Sequence, residues 1–137
     1  MDKALSEFET FLASWVADPN GAKQTLQHYR ELLTQDGVHF SFKSRPGISY
    51  SLRATHVKQT TRELFVLLDV VDDEPENRWL SVCFYWDMVQ DPQELGDFVP
   101  KGLMGEDAVC FNIESDDPEQ QAYVAQRLQE ALANAAK

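Results

Sequence analysis

The chain has 137 residues, a formal net charge of -11, 43% hydrophobic and 11% aromatic residues. That length fits one ordinary domain, 1–137, and the apolar share excludes an intrinsically disordered chain. The acidic balance disfavours duplex nucleic acid as the main partner, because phosphate binding needs positive potential at the contact.

Met1-Asp2-Lys3 leads into an amphipathic rather than an apolar segment, so no export signal is expected. The longest apolar runs, such as Leu64–Leu68, are too short to span a bilayer. The expectation is a cytoplasmic protein without a membrane segment. Residues 4–17 predict a helix, with Leu5, Phe8, Phe11 or Leu12, Trp15 and Val16 on one face. Asp18-Pro19-Asn20-Gly21 breaks it, and a second helix is expected over 22–35, stopped by Gly37. The short turn between the two suggests a helical hairpin.

The period then becomes two. Val38, Phe40 and Phe42 alternate with His39, Ser41 and Lys43, and Ile48, Tyr50 and Leu52 with Ser49, Ser51 and Arg53. Pro46-Gly47 between them suits the centre of a type II turn. Residues 63–71 form a nearly continuous apolar run, expected to be a central strand covered on both faces. A polar loop at 72–77 precedes a fourth strand at 78–86, and 87–107 reads as irregular. A fifth strand is expected at 108–114. Asp117-Pro118-Glu119-Gln120 then supplies an N-cap, a first-turn proline and a capping-box Gln for a last helix to about 135. The order predicts an α+β fold: an antiparallel sheet of about five strands packed against two N-terminal helices and one C-terminal helix.

The candidate site lies in the hairpin. Residues 37–62 hold no carboxylate and carry Lys43, Arg45, Arg53, Lys58 and Arg62. His39, Lys43, Arg45 and Arg53, with Ser49 and Ser51, could receive a phosphate or carboxylate, Arg in two-pronged fashion and Lys as a point charge. The competing expectation is internal: these cations balance the acids of 72–76 or 87–119. Neither the acidic loop nor 114–117 has the spacing of a calcium loop, so no metal site is expected. Cys83 and Cys110 lack a partner at metal-ligand spacing and are expected to be free, buried thiols. No phosphate loop, nucleophile elbow or zincin motif occurs, so no catalytic residue or cofactor is assigned.

In outline, Pro46-Gly47-Ile48-Ser49-Tyr50 as first hairpin, Glu63-Leu64-Phe65-Val66-Leu67 as the next strand, and the strand and helix from Ala108 to Ala136 resemble the MmcQ/YjbR-like proteins. The resemblance implies the same small α+β architecture. The expected function is a non-catalytic binding or regulatory module for a protein partner or small anion. The alternatives are a small hydrolase- or transferase-like enzyme centred on a Cys or His, and nucleic-acid binding through the basic hairpin. The oligomeric state is not legible.

Overall fold

A computed structural model describes residues 3–137; Met1 and Asp2, where the export-signal reading starts, lie outside them. The elements are α1 (Lys3–Ser14), α2 (Ala22–Leu33), β1 (Val38–Arg45), β2 (Ser49–His56), β3 (Val66–Val71), β4 (Trp79–Tyr85), β5 (Asp97–Leu103), β6 (Glu106–Ile113) and α3 (Pro118–Ala135). All pairings are antiparallel and the sheet order is β1-β2-β3-β4-β6-β5. The α+β class and the three helices are as expected. The sheet has six strands rather than about five.

The additional strand is β5, in the stretch expected to be irregular. Its sequence, DFVPKGL, contains a proline and a glycine, both poor strand formers. It sits at an edge, where a missing N–H is tolerated, and its register with β6 breaks between Val99 and Leu103. The pairing is supplied by β6, not by the propensity of β5 itself.

The helices lie on one face of the sheet. Cross-strand neighbours Leu52, Leu68, Val82 and Phe111 form one row of that face, all buried. Helix α1 lies chiefly on β1, while α2 packs on α3 and β4. Asp117 caps α3 by accepting from the N–H groups of Glu119 and Gln120. Gly47 has φ 84°, as the second central residue of a type II turn requires, and Ile48 N–H donates to Arg45 C=O across it.

Trp15 stands just beyond α1 and is 1% exposed, its ring 5.5 Å from Phe11. Val16, placed on the same apolar stripe by spacing, is exposed because the helix has already ended. Trp15→Ala should cost about 3–5 kcal/mol in urea unfolding, as truncation of a fully packed aromatic does. A loss under about 1 kcal/mol would place this corner outside the core.

Beneath that corner lies a buried ion pair. Arg78 Nε donates to Asp72 Oδ1 at 2.6 Å, and the guanidinium lies 5.3 Å from the ring centroids of Phe11 and Tyr50 and 5.5 Å from that of Trp15. The second Asp72 oxygen accepts from Gly47 N–H at 2.8 Å. Removing one member of such a pair strands the other charge. Arg78→Leu should therefore destabilise by about 3–5 kcal/mol, and adding Asp72→Asn should recover a large part. Additive losses in a denaturant-melt cycle would refute the coupling.

Candidate functional site

Strand alternation puts every odd-numbered residue of β1 and β2 on the face turned away from the helices. His39 lies opposite Thr55, Ser41 opposite Arg53, Lys43 opposite Ser51 and Arg45 opposite Ser49. The six residues of the candidate site, His39, Lys43, Arg45, Ser49, Ser51 and Arg53, are thus brought to one face. His39 is the outlier, exposed and at the far end of β1 from Arg45.

The register extends this surface across the sheet. One row runs Lys43, Ser51, Asp69, Ser81, Asn112; the next runs Ser41, Arg53, Leu67, Cys83, Cys110, Asp97. Leu67, Asp69 and Val71 are only half-buried, so β3 is covered by helices on one face and not on both. Ser51 donates a very short hydrogen bond to Asp69 Oδ1. Burial pushes the Asp69 carboxyl above its ordinary value, against the lowering pull of the Ser51 hydrogen bond and of the Arg45 and Arg53 charges. Arg45 donates to Ser49 Oγ at 3.4 Å. Arg53 Nε is buried with no hydrogen-bond acceptor among the described residues.

The expected internal charge balance divides. Arg62 follows it: it grips Asp87 through two hydrogen bonds and Glu106 through two more, and lies 4.1 Å from the Tyr85 ring centroid. The hydrogen bond to Asp87 is the largest cause holding Arg62 protonated, and in return it lowers the Asp87 carboxyl. Lys43, Arg45 and Arg53 depart from it. Asp72 is taken by Arg78, and among the described residues none of the three cations has a carboxylate within 4.0 Å. The acid that feels the charges of Arg45 and Arg53 is Asp69, alone within an apolar strand and absent from the sequence-based site. The signal was there: a single acid on the odd-numbered side of LFVLLDVV.

No family model, no curated protein and no solved structure matches this chain.

The cysteine expectation is overturned. Cys83 and Cys110 face each other across β4 and β6, Cα atoms 4.1 Å apart, and are joined as a disulfide; no described cysteine is free. Local sequence places each cysteine in its own strand, and spacing alone carries no register. Joined sulfurs offer no thiolate, which removes the cysteine as nucleophile in this state. His56 has its Nδ1 occupied by Lys58 N–H and its ring packed against Gly37. Among the described residues no three His, Cys, Asp or Glu side chains group as metal ligands would. Five open grooves lie between the 93–95 loop and α3, around 58–62, beside α1, at the 73–77 loop, and along 87–90, and none is lined by Lys43, Arg45 or Arg53.

Thiol titration of the denatured, unreduced protein should find no reactive sulfur, and two after reduction. The bond spans 27 residues. On the chain-entropy model its loss by Cys83→Ser with Cys110→Ser should cost about 3–4 kcal/mol, read in a urea melt. Two thiols without reductant would restore the buried-thiol reading.

Proposed function

We propose that the protein is a non-catalytic binding or regulatory module, and that its partner is a protein docking on the helix-free face of the sheet through an acidic segment. The observation that carries this reading is the cation cluster: Lys43, Arg45 and Arg53 stand on one face with Ser49 and Ser51, and no carboxylate of the described chain pairs with them. Beside them Leu67, Val71 and Trp79 are half-buried, giving apolar area next to charge. Interfaces join the two in this manner, an apolar centre with arginines at hand. A protein partner is favoured over a small anion because small ligands are held in concavities, and none of these five grooves is lined by Lys43, Arg45 or Arg53. The overall charge of -11 opposes an acidic partner at long range. That repulsion is screened over about 8 Å at physiological salt, while the cluster acts at contact.

No described helix is long and apolar enough to cross a membrane. We assign the module to the cytoplasm. A disulfide there must resist exchange with glutathione, and the low exposure of Cys83 and Cys110, 7% and 8%, limits attack by an external thiolate.

The test is a titration with a glutamate-rich peptide, followed by backbone amide NMR. Saturable shifts should cluster on β1, β2 and β3. Replacing Lys43 and Arg53 by Gln should weaken binding about tenfold or more, the scale of one charge-assisted contact. Asp69→Asn, which removes the one negative group of the cluster, should strengthen it. Equal affinity in the doubly substituted protein, or shifts confined to the α3 groove, would overturn the reading. Inorganic phosphate saturating the same amides and displacing the peptide would replace the protein partner by a small anion. Displacement by a short DNA duplex, lost steeply with salt, would replace it by nucleic acid.

A further inference from the structure

The two edges of the sheet are built differently. At β5, Pro100 removes a donor, Lys101 has φ 55°, and the register with β6 is broken between Val99 and Leu103. These features stop another strand from pairing there. At the other end, β1 is eight residues long, has no proline and pairs with β2 without a register shift from Val38 to Arg45. Apart from the turn bonds at its ends, no described backbone group outside β2 bonds to it. Its helix-side residues Phe40 and Phe42 are half-buried: Arg30 lies over the Phe40 ring at 5.9 Å, and Phe8 and Phe11 flank Phe42 at 5.6 Å. Its other side presents His39, Ser41, Lys43 and Arg45, all exposed.

We propose that β1 accepts an extended acidic segment of a partner protein as a further strand of the sheet. The inference rests on the proposed function and adds the mode of binding and the pattern of the partner. Main-chain pairing supplies affinity in such strand addition, and alternate side chains supply specificity. One side of the incoming strand meets Phe40 and Phe42 and is apolar. The other meets Lys43 and Arg45 and is acidic. The partner sequence is therefore an alternation of apolar and acidic residues over up to eight positions. A second copy of this chain does not meet that description. In the antiparallel β1–β1 register that pairs Phe40 with Phe42, Lys43 faces His39 and Ser41 faces Ser41, so a second copy brings no carboxylate to Lys43 or Arg45, and it is opposite charges across a ladder that stabilise it. The cations on this edge thus favour an acidic strand over a second copy of the chain.

The probe is an eight-residue peptide alternating Glu and Val, prepared unmodified, with its Glu amides N-methylated, and with its Val amides N-methylated. Successive amides of a strand point to opposite edges, so each methylated form blocks one edge and leaves the charges in place. The unmodified peptide should bind and slow hydrogen exchange at alternate amides of residues 39–45. One methylated form should lose binding and the other keep it. If both methylated forms bind as well as the parent and no β1 amide slows, strand addition is wrong, while binding on the face stands. If the unmodified peptide does not bind at all, the face reading fails and the inference fails with it.

Discussion

Asp72 carries its charge where almost no water reaches it, and Arg78 makes that position tolerable. The pair does more than neutralise. Asp72 also takes the Gly47 N–H, which fixes the tip of the first hairpin to the start of the β3–β4 connection. Arg78 spreads its guanidinium among Phe11, Trp15 and Tyr50, so the end of α1 is attached to the same point. Asn20 adds a bond to the Arg78 carbonyl from the α1–α2 connection. This junction, together with the packing of Phe8 and Phe11 on Phe42, sets the orientation of β1 relative to α1 and with it the position of Lys43 and Arg45.

On the opposite side of the sheet the same hairpin is left with cations and little to neutralise them. The two arginines at this level of the fold follow different rules. Arg62 is engaged by two acids and stacked on Tyr85, so it is structural. Arg53 has a buried Nε without an acceptor and shares one carboxylate, Asp69, with Arg45. A charge already desolvated and incompletely paired gains more from a partner's carboxylate than a fully hydrated one does, because part of the desolvation cost has been met on folding.

Much of this was legible in the chain. The alternation around Pro46-Gly47 gave the hairpin and the grouping of His39, Lys43 and Arg53 on one face, since period two fixes side; the register, Arg45 opposite Ser49, is a finding of the structure. The Asp117-Pro118 cap gave the start of α3. What failed was long-range. Strand β5 has no pattern of its own and exists because β6 lies beside it. The Cys83–Cys110 bond needs the β4–β6 register, which no local signal holds. The expectation that β3 is covered on both faces came from its continuous apolar run; it overlooked that half-buried Leu67 and Val71 sit on a face the helices leave alone.

The pairing of the first helices with the last has a consequence for how the chain acquires its structure. Helix α2 packs against α3, and the Tyr29 hydroxyl donates to the Gln121 carbonyl, 92 residues away in sequence. Strand β5 likewise has no neighbour until β6, which follows it, is in place. As the polypeptide leaves the ribosome, α1 finds its cover once β1 and β2 form, but the side of α2 that meets α3 has nothing yet made to cover it. The unfinished chain holds secondary structure and exposed hydrophobic surface together until the eighteen-residue α3 packs on α2 and β6. Loss of α3 would bare the side of α2 it packs on and the β6 end of the sheet, while α1 still covers β1.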